Sequence, residues 1–339
     1  MELIKPSVEI WEQGTTLENM WKHIARCTRV CYQSTPKNDG ETDEEFVKRV
    51  ILRIDKLKDE TTEEYLKRVD NLLSKGELNF DKIHGAMLEH GTIYLTVPMY
   101  NADVNFAYQR YFYNKYSKVK DYVEKEGWAN RDKDCYHITT NLRVIYENGW
   151  VNDLKYICAP TKYHAKRVTV SFTTNIGVSR EFNRHRVNSP AEESTRYCNY
   201  NKRNDGQINI GLPAWLLDDE HLPYIKGHAN DDVVSYATGI INQEEDEILK
   251  TWCDMDFYLC GLTFCNWCYN MLIRKGWKPQ QAREVLPIAT KSQLIHTAFV
   301  DDWKHFFALR ADGVSGPPHP NAKLVAKPLK EEFIKRGLL

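Results

Sequence analysis

The 339-residue sequence lacks the long apolar stretch that a membrane-spanning helix requires. A helix needs about 20 consecutive apolar residues to cross a bilayer, and the chain has no such run. The N-terminus, Met1-Glu-Leu-Ile-Lys-Pro, also lacks the apolar segment of a secretory signal. We therefore expect a cytoplasmic protein with no membrane partner.

An excess of charge of one sign is also missing, because 46 lysines and arginines stand against 47 aspartates and glutamates. This balance does not support a general attraction to nucleic acid, so we expect no nucleic-acid partner. Any anion that the protein binds must be held by a local cluster of cations. The apolar content of 42% is ordinary for a globular protein and permits a sizeable core.

Metal-binding and redox motifs are scarce. The nine cysteines include one CxxC spacing, Cys265-Asn-Trp-Cys268, which falls inside an aromatic segment with helical periodicity. No second pair accompanies it, and the HEXXH pattern of zinc enzymes is absent. The sequence therefore predicts buried, reduced thiols and no metal site.

Helical and strand periodicities are both present along the chain. The apolar spacing predicts helices at 16–32, 79–89, 140–148, 243–275 and 301–310, and strands at 92–97, 167–173 and 290–300. The charged segment 42–75 contains two similar sequences, called the echo here, which begin at Thr42 and Thr61. Each begins with a residue that can cap a helix, so two short, solvated helices are predicted there. No linker divides the chain, which favours one domain.

The stretch from residue 184 to residue 197 carries the densest chemistry: Arg-His-Arg-Val-Asn-Ser-Pro-Ala-Glu-Glu-Ser-Thr-Arg-Tyr. Guanidinium groups offer fixed, planar donors to phosphate, and serine and glutamate can complete a polar shell around hydroxyls. A non-specific phosphate patch would gain nothing from the interleaved carboxylates. The stretch therefore favours a ligand that is both anionic and sugar-like.

Three further pieces are candidates for the same site: 84–90, Arg283 and 305–310. Each also has a plainer interpretation. The histidines of the first piece could form a polar cluster at a helix end, and a lone arginine is usually a surface salt-bridge partner. A purely solvated role fits Arg310 less well, because its neighbours in sequence are aromatic and apolar.

The spacing Arg-His-Arg, seven residues, serine resembles the motif of the flavin-dependent thymidylate synthases, and the other three pieces follow in that family's order. The resemblance covers roughly residues 80–98 and 165–320. It implies an α+β fold in which helices flank a central, mostly antiparallel sheet, the thymidylate-synthase-complementing fold. The chain would then be a single domain over 1–339, with helical insertions at about 40–78 and 100–160.

The family makes dTMP from dUMP, with methylenetetrahydrofolate as the carbon donor and a hydride carried by FAD and replenished by NADPH. Its active sites are shared between subunits, so the resemblance implies a homotetramer. It assigns FAD to His84, Ala86, Arg184, His185, Arg186, Glu192 and His305. It assigns dUMP to Glu181, Arg184, Ser194, Thr195, Arg196, Arg283 and Arg310.

Within this assignment Arg310 is the expected catalytic residue, because a guanidinium facing the uracil would stabilise negative charge across N3 and O4. The sequence departs from the family at several positions. Ala86 stands where a hydroxyl residue is common, and Glu181 stands where some members have glutamine. Phe299 and Asp301 replace the asparagine and arginine that some members use on the FAD adenylate.

Two alternatives stay open at this point. The same fold and flavin could act on another pyrimidine nucleotide or transfer the carbon differently, for example by hydroxymethylation; Glu181 and the aromatic segment 104–117 motivate this alternative. A non-enzymatic nucleic-acid-binding protein that uses Arg184–Arg186 is the other. The balanced charge and the lack of a DNA-binding motif speak against it.

Overall fold

The computed structural model describes residues 1–34, 40–99, 109–122, 135–200 and 206–339. The strands are β1 Glu2–Ile4, β2 Ser7–Trp11, β3 Thr92–Pro98, β4 Lys118–Tyr122, β5 Cys135–Asn141, β6 Arg167–Asn175, β7 Ser189–Glu192, β8 Asn209–Gly211 and β9 Lys291–Phe299. The helices are α1 Leu17–Tyr32, α2 Asp43–Val50, α3 Thr62–Ser74, α4 Leu142–Glu147, α5 Ile176–Phe182, α6 His221–His228, α7 Val233–Ile241, α8 Glu245–Thr251, α9 Asp254–Arg274, α10 Pro279–Ala282, α11 Val300–Phe307 and α12 Pro320–Lys335.

An antiparallel sheet in the order β2-β6-β9-β7 forms the centre of the fold. In β6 the apolar side chains occupy every second position and lie on one face, whereas Leu294 and Ile295, adjacent in β9, lie on opposite faces. One face packs on α11 and α12 through Phe172, Trp303 and Phe333. The other face packs on α1 through Ile295 and Cys27. The predicted central antiparallel sheet with flanking helices is therefore confirmed.

A second antiparallel sheet, in the order β3-β5-β4, shares its core with the helices α1 to α3. Both predicted helices of the charged segment are present, and Thr42 and Thr61 each form the capping box that the echo indicates. The expectation of a solvated segment is wrong, however, because Val47, Ile51 and Val69 are fully buried. One face of each helix is charged and the other belongs to the core.

A third cluster lies around α6 to α9 and the two-stranded parallel sheet β1-β8. The predicted long helix at 243–275 is interrupted here. Trp252 is extended and packs its ring edge-on against Tyr236, with ring centroids 5.8 Å apart. A new helix then begins, and its Asp256 accepts a hydrogen bond from the Cys253 backbone at 2.8 Å. Tertiary packing of one tryptophan overrides a continuous helical pattern.

Other boundaries differ from the sequence-based expectations in smaller ways. The predicted helix at 79–89 consists of two 3₁₀ turns, Phe80–Lys82 and Gly85–His90. The helix predicted from residue 140 begins only at Leu142, because the preceding residues belong to β5. The last core helix starts at Val300 rather than at an aspartate and continues as a π-helical turn, Ala308–Asp312.

In the part of the chain that the structure describes, no helix is long and apolar enough to cross a membrane. The aromatic segment 104–117 falls partly outside the described residues. The assignment of the whole chain to a single domain stays a prediction.

Candidate functional site

The motif stretch follows directly from the central sheet. At the end of β6, Asn175 caps α5 by accepting a hydrogen bond from the Val178 backbone at 3.0 Å. This helix ends after two turns, and the chain then passes through Arg184–Arg186 before it returns as the edge strand β7. The short helix thus places the motif at one edge of the sheet.

The cations of the motif differ in their surroundings. Arg184 and Arg186 are exposed and form no ion pair with any carboxylate in the described ranges. His185 between them is buried. Two exposed guanidinium groups at one edge are free to meet an anion, whereas the histidine belongs to the interior.

A cavity of about 660 Å³, here called the arginine cavity, opens beside this edge. Predicted dUMP residues on its wall are Ser194, Thr195 and Arg283, and the remaining lining residues are Ile176, Ser179, Arg180, Glu192, Glu193, Glu284, Leu286, Pro287 and Ile288. Arg283 Nη1 donates a hydrogen bond to Thr195 Oγ1 at 3.3 Å. The structure therefore unites an arginine and two hydroxyls that lie far apart in sequence, a donor set that suits phosphate.

Arg196 lies outside the lining of this cavity. Its Nε donates a hydrogen bond to Gln280 Oε1 at 3.1 Å. Gln280 belongs to α10, the short helix that leads into Arg283. The two arginines are thus linked through one helical turn, although only Arg283 reaches the cavity wall.

A second cavity of about 470 Å³, here called the histidine cavity, lies on the side of α1. It is lined by Cys31, Tyr32, Phe80, Ile83, His84, Gly85, Ala86, Met87, Arg143, Glu192, Ser194 and Tyr197. Arg53 Nη2 donates a hydrogen bond to His84 Nε2 at 2.7 Å. Burial, and then the charge of Arg53, lower the pKa of His84, so this imidazole is neutral at pH 7.

Glu192 and Ser194 line both cavities and so form the wall between them. Three neutral donors fix the Glu192 carboxylate. Ser179 and Ser292 donate their hydroxyls to Oε1 at 2.5 and 2.8 Å, and Asn183 donates its amide to Oε2 at 2.9 Å. The carboxylate is therefore held in one orientation at the junction, where a ligand in either cavity could reach it.

Arg310 lies in a third place and lines neither of the two cavities. Its Nη1 pairs with Glu181 Oε2 at 2.7 Å, and its Nη2 donates to the Glu181 carbonyl at 2.9 Å. Its Nε donates to His185 Nε2 at 3.3 Å. Its aromatic neighbours in sequence, Phe306 and Phe307, are almost fully buried in the core.

Electrostatics keep His185 neutral in this cluster. Burial, then the neighbouring Arg310 and His305, lower the pKa of His185 to about 4. The imidazole can therefore accept the hydrogen bond from Arg310 at neutral pH. The His305 ring lies 5.9 Å from the His185 ring, so two predicted flavin residues and the predicted catalytic residue form one group.

Two departures from the family pattern acquire partners in the structure. Glu181 is neutralised by Arg310. Lys118 pairs with Asp301 at 2.8 Å, and its ammonium lies 4.7 Å from the centre of the Phe299 ring. The ammonium group of Lys118, on β4, therefore lies next to Phe299 and Asp301, which occupy the positions where some family members contact the FAD adenylate.

The polar cluster proposed for His84 and His90 as a plainer alternative is not formed. His90 is fully buried, and its Nδ1 lies 2.8 Å from the Thr297 hydroxyl. Glu89 pairs with Arg143 at 2.6 Å. His84 alone of these residues reaches the histidine cavity, because the 3₁₀ turn that begins at Gly85 points its last residues inward.

Sequence reasoning missed the residues that hold Glu192. Ser179 and Asn183 lie four positions apart at the end of α5, a spacing that places them on one helix face. That spacing was a usable signal. Ser292 carried none, since only the register of β7 against β9 brings it to the carboxylate. Tyr32 and Tyr197, with ring centroids 5.4 Å apart, were also missed.

A family model described as thymidylate synthase complementing protein matches residues 162–336 of the chain. The chain is also similar to flavin-dependent thymidylate synthases from Corynebacterium efficiens and Corynebacterium glutamicum, with 27% identity to each over 139 residues. Those residues are 40% of this chain and 47% of each relative. The chain thus spans about half the length of the curated relatives it matches.

Two solved structures of a UMP/dUMP methylase, PolB from Streptomyces cacaoi, are distantly similar. The one bound with 5-Br UMP has a TM-score of 0.34 and 22% identity, and covers 50% of this chain and 69% of that chain. The one bound with 5-Br dUMP has a TM-score of 0.37 and 15% identity, and covers 99% of this chain and 93% of that chain. Scores this low carry no argument about residue roles.

Proposed function

Because the chain belongs to the thymidylate synthase complementing proteins, the flavin-dependent thymidylate synthase family, we propose that it makes dTMP from dUMP with a flavin as redox cofactor. The observation that carries this proposal is the wall of Glu192 and Ser194 shared by the arginine cavity and the histidine cavity. Two ligands on either side of one side chain are close enough to react.

The arginine cavity is proposed to hold the dUMP phosphate. Arg283 and the hydroxyls of Ser194 and Thr195 line it, and charge-assisted hydrogen bonds to phosphate are the strong ones. Arg196, tied to the same helix through Gln280, would approach from the rim. The nucleotide would then extend from the phosphate toward Glu192.

The residues around the histidine cavity fit a flavin. Tyr32, Phe80 and Tyr197 supply ring surface for a flat cofactor, and the small side chain of Ala86 leaves room beside His84. Exposed Arg184 and Arg186 would meet its phosphates. When bound, reduced FAD would supply the hydride that completes the new methyl group, and NADPH would restore the reduced flavin.

Arg310 is proposed to act on the pyrimidine. A guanidinium stays protonated at all working pH values and would stabilise negative charge across N3 and O4, which makes C5 a better nucleophile toward the carbon of methylenetetrahydrofolate. Glu181 and His185 hold the guanidinium in position. Because Arg310 lines neither cavity of its own chain, we propose a homotetramer in which a site combines residues of neighbouring subunits.

The test is to purify the protein, look for flavin absorbance, and measure oxidation of reduced FAD with methylenetetrahydrofolate in the presence and absence of dUMP. We expect a yellow protein. Oxidation of its reduced flavin in the presence of methylenetetrahydrofolate should require dUMP. The family match does not favour the alternative pyrimidine or hydroxymethyl reaction. Turnover of dCMP without turnover of dUMP would overturn the proposed substrate.

A further inference from the structure

A third cavity of about 650 Å³ lies at the opposite edge of the central sheet. It borders β2 and the start of β6, whereas the two cavities described above border the β7 edge, and it shares no lining residue with either. Its volume falls within the range of about 300–1,000 Å³ that is usual for small-molecule sites. We call it the β2-edge cavity.

The wall of the β2-edge cavity carries an excess of positive charge. Lys162, Lys166, Arg167 and Arg336 line it against a single carboxylate, Glu12. That carboxylate already pairs with Arg336 at 2.5 Å. Neither lysine forms an ion pair with a carboxylate of the described ranges. The cavity thus has three cations whose charge no protein group on its wall balances.

Arg167 is the most informative of these cations. Its Nη1 donates to the Glu89 carbonyl at 3.0 Å and to the Thr92 hydroxyl at 3.2 Å, which are both uncharged acceptors. Its Nε is shielded from solvent and has no hydrogen-bond partner. Burial lowers the pKa of Arg167 to about 10, so the group is still charged at pH 7. Arg167 is half-buried and forms no salt bridge within the described ranges, and Glu89 and Asp302 act on it only at longer range. An anion in the cavity would give it a direct counter-charge.

The remaining wall suggests the rest of the ligand. The half-buried Tyr94 supplies ring surface, and the hydroxyls of Thr15 and Thr161 supply polar contacts. A guanidinium flanked by two flexible lysines suits a tetrahedral, doubly charged group better than a single carboxylate does. We propose that the β2-edge cavity binds a phosphate-bearing small molecule with a ring, in which Arg167 and the two lysines hold the phosphate.

This site is independent of the proposed dUMP site, and its test keeps the two apart. The probes are inorganic phosphate and AMP, titrated by calorimetry at low ionic strength. The variant K162A/K166A removes charge from exposed positions without touching the sheet, so it should fold. K226A/K250A is the matched control, since those lysines are exposed and line none of the three cavities. R283A removes one of the two arginines, Arg180 and Arg283, that line the arginine cavity.

We expect AMP to bind the unaltered protein more tightly than inorganic phosphate does, because the ring adds contacts. K162A/K166A should weaken AMP binding about tenfold or more, as expected for loss of charged contacts. K226A/K250A and R283A should leave this binding event unchanged. The proposal is overturned if neither probe binds, if phosphate binds as tightly as AMP, or if K162A/K166A binds AMP as the unaltered protein does.

Discussion

Replacing Arg283 by alanine tests the proposed phosphate site most simply. The change removes the guanidinium that lines the arginine cavity and donates to Thr195 Oγ1 at 3.3 Å. Hydrogen bonds to a charged group contribute about 1.5–3 kcal/mol. The Arg283 side chain is 41% exposed, so solvent screening favours the lower end of that range. A loss of about 1.5 kcal/mol corresponds to about tenfold weaker dUMP binding.

The assay is calorimetric titration of dUMP into the unaltered protein and into R283A at two salt concentrations. Affinity should fall with salt more steeply for the unaltered protein, because the variant has lost one cation near the phosphate. R274A is the matched control, since Arg274 is exposed on α9 and lies outside the arginine cavity. Equal dUMP affinity in R283A and the unaltered protein would refute the assignment of this cavity to the phosphate.

Three further outcomes are expected. R310A should keep the fold and the flavin absorbance but lose most dTMP formation, and a normal rate would remove Arg310 from catalysis. Ile51→Ala should lower the free energy of unfolding by about 2–5 kcal/mol in urea titration, because Ile51 is fully buried in the helical segment 42–75; a negligible change would show that the segment is only surface. Burial lowers the pKa of His23 to about 4, below the unfolded value of about 6.5, so its contribution to stability should be complete above pH 6.5 and fall by up to about 3 kcal/mol toward pH 4. His23→Gln should flatten that pH dependence, and an unchanged slope would contradict the assignment.

Local patterns predicted the elements on which the site is built. Apolar and polar residues alternate along β6, and this period of two residues predicts a strand. Apolar residues of α1 recur with the helical period after a capping threonine, which predicts a helix with one buried face. The resemblance to the family assigned His84, Glu192 and Arg283 to one site from sequence motifs alone. In the structure these residues line two adjoining cavities, and their roles remain proposals.

Features set by distant contacts could not be predicted in this way. The helix break at Trp252 depends on where Tyr236 lies. The partner of Glu181 is Arg310, which comes 129 residues later. The β2-edge cavity depends on the juxtaposition of β2, β6 and the chain around Lys162, and none of these segments carries a motif. Each of these results from tertiary packing, which a single sequence does not specify locally.

A single-turnover reaction without oxygen tests whether the hydride of the reduced flavin enters the new methyl group. The protein with reduced FAD is equilibrated in D2O, so that the exchangeable transferable position of the flavin carries deuterium, and is then mixed in D2O with dUMP and methylenetetrahydrofolate. The nucleotide is analysed by mass spectrometry. We expect dTMP with one deuterium in its methyl group. Unchanged dUMP after complete oxidation of the flavin, or dTMP that lacks the label, would contradict this expectation.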